Sequence, residues 1–406
     1  MATTVAITAQ QPDIQYLPDV DKWHARTERR LRLETLATDL PTDFPRKLDS
    51  DLVWDGKDIA ERYNWTYVPT DADREEIDAA VQHIRSLNKP LGFINPESFP
   101  LPTLHSTLRD ISRELHNGYG FKVVSGVPVD RYSREENIII YVGISSHVAP
   151  IRGRQDSFYD GKPADVMHNH IKDLSTQAQS KGRIGAPAYT TDKQVFHTDQ
   201  GDIISLFALS AAAAGGQSKL ASSWRVYNEL AEKRPDLIRT LAENWPLDGF
   251  GNPQTPYYER PLLFHQAATN KQPERVLIQY ARRSFTGFQD LPRSKDIPPI
   301  TEAQAETLDS LHFLAEKYSV GLDFRKGDIQ YINNLSIFHA RDGFQDTPEQ
   351  QRHLIRIWQR DPEYAWDTPG PLDRAWKQLY DGVTPETQVF PLEPYIRGPA
   401  AGGKKD

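Results

Sequence analysis

The sequence contains no cysteine among its 406 residues. This absence excludes disulfides, zinc–thiolate sites, iron–sulfur clusters and thiol nucleophiles, so any bound metal must use histidine, carboxylate or water ligands. No stretch approaches the roughly 20 apolar residues that a membrane-spanning helix needs. The N-terminus also lacks a basic start followed by an apolar core. We therefore expect a cytoplasmic protein that does not bind membranes.

The chain also lacks an excess of positive charge, since 48 Lys and Arg face 56 Asp and Glu, for a formal net charge of -8. Binding a polyanion requires clustered basic residues that acids do not offset, so nucleic acid is not an expected partner. With 38% hydrophobic and 26% charged residues, the composition is that of a globular protein with a sizeable core.

Three regions differ in composition. Residues 1–90 are polar and interrupted by prolines, which predicts an accessory extension. Residues 91–360 carry the clearest helix and strand patterns and are predicted to form the main domain. Residues 361–406 are proline-rich and end in Ala-Ala-Gly-Gly-Lys-Lys-Asp, which predicts an extension with a disordered end. Because the N-terminal extension can pack on a partner as well as on its own domain, a homodimer is one expected assembly.

Capping patterns and apolar periodicity predict several helices. Ser133 with Glu136 three residues later forms a capping-box pattern, and Thr301 precedes a glutamine at the same spacing. Apolar residues recur at helical spacing over 227–241. Within that stretch, Pro235 must lie in a first turn or at a break between two helices.

After Tyr318 the period changes to two, which predicts strands. Residues 322–324 and 328–332 are expected to be short strands joined by a turn at Lys326-Gly327. Short strands with interposed helices fit an α+β fold with a mainly β core. The predicted architecture is a double-stranded β-helix, the cupin-like jelly roll, decorated by helices and large inserts.

Residues 352–358 also alternate, which places Arg352 and Arg356 on one face of a strand. Two guanidiniums among apolar neighbours are costly to bury without a partner. An interior anion is therefore a natural ligand for that face.

Two histidines, one carboxylate and an arginine follow one another in a chemically meaningful order. His197 and Asp199 are two residues apart, His339 lies 142 residues beyond His197, and Arg352 lies 13 beyond His339. Two imidazoles and one carboxylate form a facial triad that leaves half of an octahedral iron open for a bidentate cosubstrate and dioxygen. An arginine can hold that cosubstrate's far carboxylate. A His-x-Asp tripeptide alone is weak evidence, but this full set indicates a non-haem Fe(II) oxygenase.

The ordered spacing resembles the TauD/TfdA-like family of Fe(II)/2-oxoglutarate dioxygenases, whose pattern is His-x-Asp, a long insert, His, and Arg ten to fifteen residues later. The further segments that look like family landmarks are residues 215–218, 227–230, 234–237, 327–329, 334–341 and 352–358. These further segments are most similar to the fungal-type branch of the family.

The resemblance implies that His197, Asp199 and His339 bind Fe(II), with 2-oxoglutarate and dioxygen as cosubstrates. It implies oxidation of a small molecule with release of succinate and CO2, by hydroxylation or by desaturation or oxidative cyclisation. An amino acid or a secondary-metabolite intermediate is the substrate expected by family analogy.

The resemblance also implies how the cosubstrate is held. Arg352 would form a salt bridge to the distal carboxylate of 2-oxoglutarate, with the Ser218 hydroxyl as a helper where related enzymes often have threonine. Two roles are open for Arg356: it would share the cosubstrate's carboxylate, or it would bind an anionic group of the primary substrate.

Two other functions share parts of this pattern. A JmjC-like 2-oxoglutarate oxygenase that acts on a protein also uses His-x-Asp/Glu and a distant His, but the acidic balance and the lack of basic or aromatic reader segments count against it. A non-catalytic jelly-roll protein that binds a small molecule is the other. Metal-dependent formation of succinate distinguishes an enzyme from such a binding protein.

Other polar residues have simpler interpretations. His168 and His170 can imitate a metal pair, but no carboxylate and third ligand accompany them, which favours a structural or pocket-wall role. Arg341 and Asp342 can be pocket charges, but salt bridges at the surface or behind the site are the simpler interpretation.

Overall fold

The computed structural model describes residues 10–177, 180–250, 255–270 and 272–398. The helices are α1 (Val20–Leu33), α2 (Ile59–Arg62), α3 (Asp71–Ser86), α4 (Leu104–Asn117), α5 (Arg134–Val148), α6 (Ser223–Lys233), α7 (Pro235–Ala242), α8 (Arg283–Thr286), α9 (Glu302–Lys317) and α10 (Gly370–Tyr380). The strands are β1 (Thr66–Tyr67), β2 (Phe121–Val124), β3 (Ile151–Gly153), β4 (Asp156–Tyr159), β5 (Lys162–Val166), β6 (His168–Lys172), β7 (Gln194–His197), β8 (Ile203–Ser210), β9 (Ala214–Gly215), β10 (Ser218–Ser222), β11 (Trp245–Asp248), β12 (Tyr257–Arg260), β13 (Leu263–Gln266), β14 (Arg275–Ile278), β15 (Gly287–Phe288), β16 (Leu291–Pro292), β17 (Val320–Leu322), β18 (Ile329–Asn333), β19 (Ile337–Arg341), β20 (Phe344–Gln345), β21 (His353–Arg360) and β22 (Gln388–Val389).

Two sheets form the centre of the molecule. The larger has the strand order β1-β2-β18-β8-β21-β3, with β6 also paired to β21, and the smaller has the order β17-β10-β19-β7. Side chains from both sheets, such as Leu206 and Leu354 from the larger and Ser218 and His339 from the smaller, line one cavity between them. The predicted jelly roll with decorating helices is confirmed.

The predicted helix starts are confirmed by their capping contacts. The Ser133 hydroxyl accepts the backbone N–H of Glu136 and so caps α5, and Thr301 caps α9 in the same way. Pro235 is the first residue of α7, directly after α6 ends. Proline is tolerated there because the first-turn N–H has no intrahelical partner.

The strands on either side of the Lys326-Gly327 turn belong to different sheets. Residues 320–322 pair with β10 in the smaller sheet, whereas residues 329–333 pair with β2 and β8 in the larger one. The turn therefore carries the chain across the jelly roll and does not close a hairpin. Gly327 has φ +88°, and a Cβ there would lie 2.2 Å from the carbonyl oxygen of Val127.

The alternation predicted for 352–358 is confirmed in β21, which lies between β8 and β3 in the larger sheet. Leu354 and Arg356 line the internal cavity. Ile355 and Ile357 face the other way and pack with α5 in a hydrophobic cluster. Helix α5 is buried along 137–148, as expected of a helix whose middle is apolar on nearly every side.

The N-terminal and C-terminal regions pack against this centre. Strand β1 extends the larger sheet through β2, and α1 lies on α9 through ion pairs. In the C-terminal region, β22 pairs with β5 and α10 buries Leu372 and Trp376. The division into regions 1–90, 91–360 and 361–406 stays a prediction, and the predicted disordered end lies outside the described residues. No helix in the described part of the chain is long and apolar enough to cross a membrane.

Candidate metal centre and cosubstrate pocket

The structure brings His197, Asp199 and His339 together beside the cavity, which the two histidines line. His197 ends β7 and lies directly opposite His339 on the antiparallel strand β19, with ring centroids 4.0 Å apart. The Asp199 Oδ1 atom is 3.6 Å from His197 Nε2. One ligand atom from each residue lies within 4.8 Å of the others, and this is the single metal-binding group of three such residues found in the described part of the chain.

The imidazole of His197 is oriented for coordination. Its Nδ1 donates to the carbonyl oxygen of Val195 at 2.9 Å, so Nε2 carries the lone pair that can bind a metal. The side-chain amide nitrogen of Gln194 lies 2.9 Å from that Nε2 atom and donates to it, so metal coordination by Nε2 would replace this hydrogen bond. No pattern in the sequence points to Gln194, which lies three residues before His197.

Asp199 follows β7 in a loop that a buried asparagine holds. The Asn334 Oδ1 atom accepts the backbone N–H of Asp199 at 2.8 Å, and its Nδ2 donates to the carbonyls of Asp199 and Gly201. Asn334 lies within a segment that resembles a family landmark, but the resemblance implied no role for it. Its position after β18 explains how one sheet fixes the ligand loop of the other.

The second oxygen of Asp199 is bound on the far side from the histidines. Arg356 Nη1 donates to Oδ2 at 2.6 Å and Trp358 Nε1 donates to it at 3.1 Å. Burial alone would raise the pKa of Asp199, but the charge of Arg356 outweighs it and holds that pKa well below its usual range. The carboxylate is therefore ionised.

Arg356 thus has a partner that neither sequence interpretation anticipated. Besides Asp199, it donates from Nε and Nη2 to Gln155 Oε1 at 3.2 and 3.0 Å. No feature of the sequence identifies Gln155 as this partner, because it lies about 200 residues away in a different strand connection. Trp358 was predictable as a neighbour, since it is two residues beyond Arg356 on the same face.

The donor set fits a divalent metal with open coordination positions. Burial and the neighbouring His197 lower the pKa of His339 well below its usual range, so its imidazole is neutral. Two imidazoles with one ionised carboxylate are the two-histidine, one-carboxylate set that Fe(II) oxygenases use.

The cavity beside this centre is lined by Ser218, Arg352 and apolar side chains that include Ile171 and Leu206. Arg352 is buried, and burial, together with the charge of Arg341, lowers its pKa to about 9. Its Nη1 has no hydrogen-bond partner among the described residues. Such a buried, unpaired guanidinium is suited to bind an anion.

Arg341 lies in the same cavity, so its interpretation as part of a salt bridge at the surface or behind the site is wrong. The guanidinium is buried and makes no ion pair with the carboxylates of the described residues. Its neighbour Asp342 pairs instead with Lys219 at 2.9 Å. Alternation could have found this residue, because Arg341 is two positions beyond His339 on β19 and so shares its face.

His168 and His170 have a structural role, as the sequence favoured. Both rings are buried and contact the carbonyl oxygen of Pro391, and His170 also contacts His353 at 2.8 Å. This contact ties the C-terminal region to β6 and β21. Neither histidine belongs to a group of three metal-binding side chains in the chain as described.

The chain matches the model of the family described as taurine catabolism dioxygenase TauD, TfdA family, over residues 87–358. It is 37% identical over 364 residues to the taurine hydroxylase-like protein SAT17 of Stachybotrys chartarum, covering 87% of this chain and 90% of that protein. It is 22% identical over 315 residues to FR-33289 synthase of Streptomyces rubellomurinus, covering 75% and 88% of the two chains.

Solved structures share the fold. Asparagine oxygenase aligns with a TM-score of 0.53 at 13% identity, covering 80% of this chain and 99% of that chain. The non-heme iron oxygenase OrfP in complex with Fe and alpha-ketoglutaric acid aligns with a TM-score of 0.52 at 15% identity and the same coverage. From the family match and the curated relative, the chain belongs to the TauD/TfdA family of Fe(II)- and 2-oxoglutarate-dependent dioxygenases.

Proposed function

We propose that this dioxygenase oxidises a small molecule at a centre where His197, Asp199 and His339 hold Fe(II). The observation that carries the proposal is the convergence of one ligand atom from each residue within 4.8 Å, with both histidines on adjacent strands. When bound, Fe(II) and 2-oxoglutarate supply C–H oxidation coupled to decarboxylation of the 2-oxo acid to succinate and CO2.

The protein's own contribution is to fix charge and orientation. Arg356 and Trp358 occupy one oxygen of Asp199, so the other is presented towards the two imidazoles. The hydrogen bond to the Val195 carbonyl fixes the tautomer of His197. Such outer contacts orient metal ligands and raise metal affinity.

We propose that Arg352 binds the distal carboxylate of 2-oxoglutarate, with Ser218 close by. Both residues line the cavity that opens beside His197 and His339. The Ser218 hydroxyl donates to Gln330 Oε1 at 3.1 Å, so its single proton is already engaged. In this arrangement Ser218 shapes the pocket, and the arginine supplies the charge.

The proposed primary substrate is a small polar molecule, an amino acid or a secondary-metabolite intermediate. Support comes from the solved relatives, among them asparagine oxygenase with 2S,3S-3-hydroxyasparagine and OrfP with (3S)-hydroxy-L-Arg. Hydroxylation is the proposed reaction. Mass spectrometry distinguishes it from desaturation or cyclisation, because hydroxylation adds one oxygen atom whereas the others remove hydrogen.

The test is anaerobic absorption spectroscopy of the Fe(II)-loaded protein titrated with 2-oxoglutarate, following the visible metal-to-ligand charge-transfer band. We expect His197→Ala to abolish the band and Arg352→Ala to require much more 2-oxoglutarate. The matched controls are His83→Ala and Arg113→Ala, which alter exposed residues away from the cavity.

A band in the wild type followed by succinate formation with a panel of amino acids would support catalysis. A well-folded, metal-replete wild type without a band would overturn the site assignment. A band without succinate formation on exposure to dioxygen and the substrate panel would favour a binding protein.

A further inference from the structure

We propose that Arg341 is a second binding residue for the distal carboxylate of 2-oxoglutarate, so that two guanidiniums select a dicarboxylic 2-oxo acid over a monocarboxylic one. This inference rests on the proposed function, because it assumes that the cavity beside the metal centre holds the cosubstrate. It adds a residue and a selectivity that the assignment of Arg352 alone does not include.

The strand geometry places Arg341 in the cosubstrate pocket. Arg341 follows His339 by two positions on β19, so both side chains project from the same face of the strand. On the neighbouring strand β10, Ser218 is the direct cross-strand partner of Arg341, as Leu220 is of His339. Directly opposed residues have Cβ atoms about 5 Å apart. Arg341, Ser218 and Arg352 therefore border the same space.

The hydrogen-bond donors of Arg341 are divided between two directions. Nη2 donates to the carbonyl oxygens of Pro187, Thr190 and Asp192, which anchors the chain just before β7. Nε and Nη1 are buried and have no hydrogen-bond partner among the described residues. Leaving buried donors unpaired costs free energy, so these two groups, on a side chain that lines the cavity, are suited to donate to a bound acceptor.

Arg352, which lies next to Arg341, also has a buried nitrogen, Nη1, without a hydrogen-bond partner in the described part of the chain. The guanidinium carbons of Arg341 and Arg352 lie 4.7 and 5.4 Å from the centroid of the same Phe344 ring. The two side chains are 5% and 7% exposed, so solvent does little to screen their charges.

One carboxylate would satisfy both arginines. Burial lowers the pKa of Arg341 to about 10, and burial together with the charge of Arg341 lowers that of Arg352 to about 9. Both remain cationic at neutral pH, so they repel each other in a medium of low polarity. A carboxylate has two oxygens that accept from guanidinium donors, and its charge offsets the repulsion.

A purely structural role for Arg341 makes a different prediction. Its contacts with three backbone carbonyls use Nη2 alone. If these contacts are its only role, losing them would loosen the segment before His197 and lower the affinity of every ligand that binds at the metal centre by a similar factor. If Arg341 binds the distal carboxylate directly, its loss would lower the affinity only for ligands that possess this carboxylate. The comparison of two ligands therefore separates the roles.

The experiment measures the dissociation constants of 2-oxoglutarate and pyruvate for Fe(II)-loaded Arg341→Gln and wild type, from the charge-transfer band under anaerobic conditions. Pyruvate keeps the 2-oxo acid that chelates the metal but lacks the distal carboxylate. We expect Arg341→Gln to raise the dissociation constant of 2-oxoglutarate about tenfold or more, as loss of a charge-assisted hydrogen bond implies. The dissociation constant of pyruvate should stay within about twofold of the wild-type value.

The matched control is Arg275→Gln. Arg275 is likewise buried and has an unpaired Nε, but it stacks on Trp366 and contacts Asn117 away from the cavity. We expect this variant to bind both ligands as the wild type does. Arg341→Lys, which keeps the charge, serves as a second variant and should recover part of the affinity for 2-oxoglutarate.

The single variants Arg341→Gln and Arg352→Gln and their combination provide a second measurement. If both residues contact one carboxylate, the double variant should lose less affinity than the two losses added together. Unchanged 2-oxoglutarate binding in Arg341→Gln, or equal losses for both ligands, would overturn the inference while leaving the proposed function intact. Absence of any band in the wild type would overturn both.

Discussion

Asp199 is bound on both of its oxygens, and the two sides serve different purposes. Oδ1 faces the two imidazoles of the proposed metal centre, while Oδ2 accepts from Arg356 and Trp358. Because the carboxylate is buried, its negative charge depends on these donors. Arg356 is therefore a positioning residue that keeps the ligand ionised and correctly turned.

Substitution of Arg356 by glutamine should weaken metal binding roughly tenfold to a hundredfold, the usual cost of losing a contact behind a metal ligand. Without the arginine, burial raises the pKa of Asp199, so protons compete with the metal at a less acidic pH. Titrations with Co(II) at a series of pH values would measure both effects.

Trp358→Phe is the matched comparison for that substitution, because it removes the weaker donor at 3.1 Å and keeps the ion pair. Its effect on Co(II) affinity should be smaller, with little change in pH dependence. Wild-type affinity and pH dependence in Arg356→Gln would show that Asp199 does not need its cationic partner.

At the scale of elements, Asp202 connects the loop after β7 to two other parts of the fold. Its carboxylate is 2.9 Å from Arg360 at the end of β21 and accepts from Trp376 Nε1 of α10 at 2.5 Å. Burial raises the pKa of Asp202 to about 6, although Arg360 and Trp376 act in the opposite direction. This carboxyl group is the buried link between the metal-binding loop and the C-terminal helix.

The raised pKa of Asp202 predicts a particular pH dependence of stability. The unfolded aspartate titrates near 3.8, so between about pH 4 and pH 6 the native state binds the proton more tightly. The contribution of this group to the free energy of unfolding therefore falls as pH rises through that window. Asp202→Asn has no such proton, so wild type should lose stability relative to the variant from about pH 4 to pH 6.

Denaturation of both proteins at intervals across this range would measure the difference. Using the difference between wild type and variant cancels the titration of the remaining carboxylates, which the two proteins share. A constant difference across the window would contradict the raised pKa.

At the scale of the whole molecule, buried charges join the N-terminal region to the jelly roll. Glu306 of α9 is fully buried and accepts from Arg30 and Thr27 of α1 and from Arg234 beside α7. Three segments far apart in sequence therefore meet at one carboxylate. The packing of the N-terminal helix α1 therefore depends on a carboxylate that α9 supplies.

Glu306→Gln should reduce the free energy of unfolding by about 3–5 kcal/mol, because it removes a fully buried counter-charge and leaves Asp236 as the remaining buried carboxylate beside Arg30 and Arg234. Chemical denaturation would measure the loss. The matched control is Glu302→Gln on the same helix, which pairs with Arg26 and Arg29 but is 44% exposed. Its loss should stay below about 1 kcal/mol. Similar losses in both variants would contradict the importance of burial.

The sequence by itself determined features that depend on neighbours in the chain. Capping boxes at Ser133 and Thr301, the helix break at Pro235 and the alternation of β21 follow from contacts within a few residues. The His-x-Asp motif with its distant His and Arg likewise identified the family. These features are encoded locally or preserved as an ordered pattern, so they can be identified without a structure.

Only the tertiary structure decided which charges share an environment. It separated the strands on either side of Gly327 into two sheets, paired Arg356 with Asp199, and placed Arg341 beside Arg352 in one cavity. Each outcome depends on segments that are far apart in the chain. Coulomb interactions and desolvation act through distance in space, so sequence spacing cannot predict which partner satisfies a buried guanidinium.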